Sequence, residues 1–258
     1  MSSTEQKTLF EKGSTTYFTS SLFFPPKVRD DITRLYAFVR KADDYVDAKP
    51  QQKDGFMLFR KNYEQALQNH EKGFAHWESG DMVVDDFILL ADTYAFNPDW
   101  TTAFLDAMEA DTTKSTYFTL DETLAYMYGS AEVVGLYLCQ LLHIPKEAHH
   151  AAQMLGRAMQ FINFIRDIQE DISLGRQYIP VSEVDKYKLP MLTETTARHA
   201  PKQFGALVKA QIDLYRTWQK EAVAGYHFIP KQYRVAIKTA ADMYWWTSKK
   251  IEQNPLIV

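Results

Sequence analysis

Gln160-Phe161-Ile162-Asn163-Phe164-Ile165-Arg166-Asp167-Ile168-Gln169-Glu170-Asp171 reads as a helix with one polar stripe on an otherwise apolar surface. Gln160, Asn163, Asp167 and Asp171 follow one another at helical spacing, so they share a face. Phe161, Ile162, Phe164, Ile165 and Ile168 fill the rest of the circumference. A helix that is apolar most of the way round belongs inside a protein, and amides and carboxylates taken inside need partners. The segment therefore predicts an internal helix whose polar face looks onto something other than bulk water, the first element of what the whole chain reads as an all-α fold.

The rest of the chain supports a helical reading. Ile32, Leu35, Tyr36, Val39 and Ala42 recur at steps of three and four between Asp30 and Val46, behind a Pro25-Pro26 entry. Further helices are predicted over Gly55–Glu71, Met82–Tyr94, Trp100–Met108, Leu120–His143, Lys146–Leu174, Pro201–Ala224 and Lys231–Glu252. Asn97-Pro98, Ile144-Pro145, Leu189-Pro190 and Ile229-Pro230 supply the breaks. No stretch alternates as a strand does between hairpin turns. With no linker, repeat or compositional seam, residues 1–258 are expected to form one helical domain.

A second acidic cluster lies on the first long helix, in Arg40-Lys41-Ala42-Asp43-Asp44-Tyr45-Val46-Asp47. Asp43 and Asp47 stand one turn apart, with Arg40 three residues before Asp43. Like charges at this spacing repel. A hard divalent cation with oxygen ligands would offset the repulsion, and magnesium commonly takes one or two carboxylates together with substrate phosphates. Either cluster alone also fits an exposed helix with a few salt bridges. Both together fit two carboxylate helices around a metal–diphosphate head group, with aromatic side chains around a hydrocarbon tail.

Composition limits the alternatives. Hydrophobic residues make up 46% of the 258-residue chain, and 16 Phe with 15 Tyr can line an apolar cavity. A net charge of −4 without a basic stripe speaks against a nucleic-acid partner. The single cysteine, Cys139, excludes an intramolecular disulfide, fits a reducing compartment, and reads as inert packing. The polar start MSSTEQKTLFEK predicts no secretory signal, and Val133–Pro145 is too short to span a bilayer. A cytoplasmic protein is expected, with peripheral contact to a membrane surface left open; nothing in the sequence sets the oligomeric state.

These motifs resemble the squalene/phytoene synthase family, most nearly its phytoene synthases, over about Tyr17 to Ile251. Asn163 to Pro180 is similar to the family's second aspartate motif and its Gly-Arg-x-Tyr-x-Pro tail. Tyr36 to Asp47 is similar to the first aspartate motif, and Tyr126 to Gly135 to the helix between them. The resemblance implies an isoprenoid-synthase helical bundle around a central apolar cavity. It implies head-to-head joining of two allylic prenyl diphosphates through a cyclopropyl diphosphate. Magnesium, or manganese in its place, would be held by Asp43, Asp47, Asn163, Asp167 and Asp171. The four aspartates and Tyr126 would be catalytic. Tyr17, Arg40, Gln160, Asn163, Arg176, Tyr178 and Tyr244 would bind substrate, with Arg176 and Tyr178 closing over the diphosphate. Arg166 would bind diphosphate or brace the second motif. Gly129, Ala131 and Gly135 would leave room for prenyl chains or permit close helix packing. The family also implies a basic segment beyond Val258.

Three rival readings are weaker. A ferritin-like di-metal bundle needs two Glu-x-x-His pairs, and only Glu147–His150 offers one. A head-to-tail prenyl transferase or terpene cyclase would lack the Gly175–Pro180 continuation. A helical assembly factor would be expected to have lost aspartates. The sequence has no Gly-rich dinucleotide fingerprint, which favours phytoene or dehydrosqualene, made without a reductant; two geranylgeranyl diphosphates going to phytoene is the preferred reading. Farnesyl diphosphate going to dehydrosqualene or squalene is the alternative, with NADPH required only for squalene.

Overall fold

A computed structural model describes residues 4–258, except for the side chain of Ile257. The helices are α1 (Thr4–Gly13), α2 (Thr15–Ser21), α3 (Pro26–Asp47), α4 (Lys53–Glu71), α5 (Met82–Tyr94), α6 (Pro98–Ala110) and α7 (Leu120–Met127). They continue as α8 (Val133–Leu141), α9 (His149–Arg166), α10 (Ile168–Ser173), α11 (Val181–Lys186), α12 (Glu194–His199), α13 (Pro201–Ala224) and α14 (Lys231–Gln253). Among the described residues β pairing is limited to one isolated bridge, Thr116 with Gln177. The all-α expectation holds.

Local chemistry sets the helix ends. Asp81, Asn97 and Thr119 cap α5, α6 and α7 by accepting from Val83, Asp99 and Glu122 amides. Proline opens α3, α6 and α13, where its missing N–H is not needed. The short helices α1, α2, α11 and α12 lie outside the predicted set. They run only 10, 7, 6 and 6 residues, too few for periodicity to stand out.

Two predicted long helices are interrupted. Leu120–His143 is divided by a π-helical turn, Tyr128–Glu132, whose extra residue shifts the register between α7 and α8. Lys146–Leu174 opens with a 3₁₀ turn and is broken at Asp167, which takes φ −101° and ψ 16° between α9 and α10. Backbone bonds still run from Asp167 to Asn163 and from Asp171 to Asp167, so the polar stripe is bent rather than severed.

α9 is the central element. It packs along α13 and against α8, α14 and the π turn, and Phe161, Ile162 and Ile165 are fully buried. Under α3 the core is aromatic: Phe38 lies flat on Phe87 at 3.8 Å, edged by Phe59 and Tyr63. Glycine brings the other helices close. A Cβ at Gly129 would sit 2.2 Å from the Ala103 carbonyl oxygen of α6, and one at Gly135 would sit 2.4 Å from that of Ala152 in α9. Close packing is therefore what Gly129 provides, whereas Gly135 and Ala131 combine close packing with a place on the wall of the cavity described below.

This contact predicts opposite outcomes for two glycine substitutions. Gly129→Ala is expected to cost about 1–3 kcal/mol in urea unfolding, because backbone must move. Gly205→Ala, whose Cβ meets nothing nearer than Pro255 at 3.9 Å, is expected to stabilise α13 by about 0.4–1 kcal/mol.

Candidate active site

A cavity of about 650 Å³ runs through the bundle. Phe24, Ile32, Leu35, Phe104, Leu138 and Leu155 are among its apolar lining. At the other end stand the sequence-predicted residues: Tyr17 from α2, Arg40, Asp43 and Asp47 from α3, and Tyr126 from α7. Gln160, Asn163, Asp167 and Asp171 come from α9, α10 and the residue between them, Arg176 and Tyr178 from the following loop, and Tyr244 from α14. All twelve line this single cavity.

Each carboxylate has a defined neighbour. Arg40 donates to Asp43 at 2.5 Å and pairs with Asp44 at 2.7 Å. Arg166 grips Asp167 with both Nε and Nη2, at 2.7 and 2.6 Å. It thus braces the second motif, and it also reaches the cavity wall. Arg176 links the two motifs, donating to Asp47 at 2.7 Å and to the Val46 carbonyl at 2.5 Å. Gly175 makes this possible: at φ +74° it ends α10 in the left-handed region and turns Arg176 back toward α3.

Tyr178 is no exposed flap. It is buried, lies parallel to Phe164 at 4.3 Å, and donates 3.0 Å to Asp111. The neighbouring Thr116–Gln177 bridge and the bond from Thr123 to the Tyr178 carbonyl fix its backbone. Tyr126 donates 2.6 Å to the other oxygen of the same Asp111. Tyr17 and Tyr244 face each other at 5.9 Å. Burial raises all four phenols above the ordinary tyrosine range, which keeps them protonated.

Asp111 is the residue that sequence reasoning missed. It follows α6 in Ala110-Asp111-Thr112-Thr113, outside both motifs, and no spacing ties it to them. Only the chain's path past Tyr117 and Tyr178 brings it to the cavity.

The donor set suits a hard cation. The Asn163 side-chain oxygen is buried without a hydrogen-bond partner. Burial first, and then the neighbouring carboxylate Asp47, push Asp43 up to about 7 despite Arg40. Burial and then Asp167 do the same to Asp171, despite Arg176. Among the described residues no three His, Cys, Asp or Glu side chains converge as a ready chelate. Carboxylates distributed in pairs on separate helices, with an unpartnered amide oxygen one turn before Asp167, match a cation completed by diphosphate oxygens rather than an all-protein cage.

The raised carboxylates have a consequence for stability. Unfolded, both titrate near their ordinary value of 3.8; folded, near 7. The folded state then holds more protons between those values, so this contribution is full below about pH 4 and is lost as pH rises through 7. In chelator-treated protein the melting temperature should fall from pH 5.5 to pH 8. The Asp43→Asn, Asp171→Asn double variant should flatten that slope, and magnesium should restore stability at pH 8. A parent slope matched by the double variant would reject the assignment.

Comparison with known proteins identifies the family and the fold. The squalene/phytoene synthase family model matches residues 10–257. A 15-cis-phytoene synthase of Pantoea ananas is 30% identical over 259 residues, spanning 93% of this chain and 79% of its own. One from Enterobacter agglomerans is 28% identical over 257 residues, spanning 94% and 83%. Among solved structures, a dehydrosqualene synthase in complex with ligand superposes with TM-score 0.81 at 23% identity, covering 96% of this chain and 85% of its own. A squalene synthase of Alicyclobacillus acidocaldarius superposes with TM-score 0.79 at 20% identity, covering 96% and 92%. The chain belongs to the squalene/phytoene synthase family.

Proposed function

We propose that this protein is a divalent-metal-dependent prenyltransferase that joins two allylic diphosphates head to head, two geranylgeranyl diphosphates giving phytoene. The observation that carries the reading is one cavity with carboxylates, guanidinium groups and an orphaned amide oxygen at one end and apolar side chains along the remainder. That polarity matches a charged head on a hydrocarbon tail.

Magnesium, or manganese, held by Asp43, Asp47, Asn163, Asp167 and Asp171, would supply the Lewis-acid neutralisation that makes diphosphate a leaving group. Arg40, Arg166 and Arg176 bring donors suited to phosphate oxygens. Gln160 stands one helical turn from Asn163, beside the same head group. The rings of Tyr17, Tyr126 and Tyr244 face the reacting carbons, where a desolvated aromatic face stabilises a cation by about 1–2 kcal/mol. The apolar walls keep water from the allylic cation. In this reading the first condensation yields a cyclopropyl diphosphate, which ionises again and rearranges to the 1–1′ linked product.

The phytoene synthases that align over nearly the whole chain support the forty-carbon substrate. A thirty-carbon product is the second reading, favoured by a 4,4'-diapophytoene synthase of Staphylococcus haemolyticus that is 28% identical over 172 residues. NADPH would enter only if the product were squalene. No helix among the described residues is long and apolar enough to cross a membrane. Action as one domain, in the cytoplasm or at a membrane surface, fits substrates whose tails partition into lipid.

Incubation with magnesium and either geranylgeranyl or farnesyl diphosphate, with and without NADPH, tests the assignment by mass spectrometry of the hydrocarbons. Phytoene from geranylgeranyl diphosphate is the expected product. Asp43→Ala and Asp167→Ala should each lower turnover by at least about 10²-fold, the scale of losing a transition-state charge stabiliser. A thirty-carbon hydrocarbon would move the assignment to the second reading. No pyrophosphate from either substrate would favour a non-catalytic assembly role.

A further inference from the structure

Asp111 occupies a position that neither aspartate motif explains. Its side chain is 6% exposed, yet it borders two cavities: the 650 Å³ chamber and a second hollow of about 300 Å³. Thr112, Thr113, Lys114 and Ser115 line the second, and Thr113 and Ser115 are exposed, so this hollow reaches solvent. On the chamber side both carboxylate oxygens are occupied, one by the Tyr126 hydroxyl at 2.6 Å and the other by the Tyr178 hydroxyl at 3.0 Å.

Forming a central double bond from a rearranged allylic cation requires the loss of a proton. Tyr126 lines the chamber, and its hydroxyl hydrogen is committed to Asp111, which leaves its oxygen lone pairs to accept. We infer that Tyr126 and Asp111 form a proton relay that ends the reaction and delivers the proton to the outer hollow. This rests on the prenyltransfer reading above.

The step balances. The C–H bond beside the cationic carbon breaks, and its electron pair becomes the new C=C π bond. The proton goes to the Tyr126 oxygen, while the proton Tyr126 already carried passes to Asp111 Oδ2. The phenol is regenerated, the alkene is neutral, and Asp111 is left protonated until water in the outer hollow removes the proton. Burial raises the Asp111 carboxyl to about 6, with Tyr126, Arg176 and Tyr178 opposing and Asp47 adding to the rise. Asp111 is therefore ionised at neutral pH, yet holds a proton more firmly than an exposed carboxylate does.

Product partition in Asp111→Asn tests the relay. The amide keeps the shape and one acceptor but cannot take up the proton. With geranylgeranyl diphosphate and magnesium, the readout is hydrocarbon formed per pyrophosphate released, whatever the total turnover. Hydrocarbon formation should fall by about 10²-fold or more, the usual scale of a general base. Water should capture the stranded cation, so prenyl alcohols of the same carbon number should replace the hydrocarbon. Whatever Tyr126→Phe does to total turnover, it should lower the share of hydrocarbon per pyrophosphate in the same way, and the double variant should lower that share no further; the hydrocarbon share of Tyr126→Phe carries the test if Asp111→Asn does not fold. Hydrocarbon at the parental share in both variants, or equal loss of pyrophosphate and hydrocarbon, would overturn the relay. Absence of pyrophosphate release by the parent would instead overturn the prenyltransfer reading, and this inference with it.

Discussion

Crowding of like charge at one end of an apolar chamber is the constraint that organises this molecule. Asp47 acts on carboxylates from three parts of the chain, raising Asp43 on its own helix, Asp111 after α6 and Asp171 on α10. Three arginines oppose the accumulation, and each is placed to do so by local structure. Arg40 sits one turn before Asp43, Arg166 directly before Asp167, and Arg176 behind the left-handed turn at Gly175. Their compensation is incomplete, because burial penalises every carboxylate charge that remains. An arrangement of this kind gains from a bound cation, which couples the stability of the chamber's mouth to its ligand.

The remainder of the fold must then hold the walls together against that repulsion, and it does so away from the charge. The stacked Phe38–Phe87 pair anchors α3 from its other face. Gly129, Gly135 and Gly156 let α6, the π turn, α8 and α9 approach to backbone contact, a Cβ at Gly156 meeting the Ala131 carbonyl oxygen at 2.5 Å. Beside that contact the buried Glu132 is paired with Arg157 at 2.7 Å and receives Gln153, so it carries no free charge into the interior. Rigid packing in one region and unrelieved charge in another is the division expected when a scaffold carries a destabilised site.

The two aspartate helices were legible because their chemistry repeats along one helix face. Asp43 with Asp47, and Gln160 with Asn163, Asp167 and Asp171, each declare a polar stripe against apolar neighbours. Helices with long apolar periodicity were also legible, and Met82–Tyr94 and Pro201–Ala224 match the expected bounds at both ends. The kink at Asp167 and the π turn at Tyr128–Glu132 were not. Both are shifts of a single residue that leave the apolar pattern readable on either side. Asp111 was invisible for a different reason. Its partners Tyr126 and Tyr178 lie 15 and 67 residues away, and Asp111 itself sits in the loop after α6, whose path only tertiary structure fixes.

In the proposed reaction, the tyrosines let so polar a wall face a carbocation without destroying it. A phenolate or a mobile water would trap the cation, whereas a neutral phenol is a poor nucleophile whose ring face still attracts positive charge. Burial keeps Tyr17, Tyr126, Tyr178 and Tyr244 in the neutral form, and the charge of Asp111 raises Tyr126 and Tyr178 further. The same Asp111 fixes where the Tyr126 and Tyr178 hydroxyl hydrogens point. Tyr178 is held flat against Phe164, and Tyr126 against Tyr178, so these rings present fixed faces rather than mobile edges. One buried carboxylate thus sets protonation and hydroxyl orientation for Tyr126 and Tyr178, independently of the two aspartate motifs.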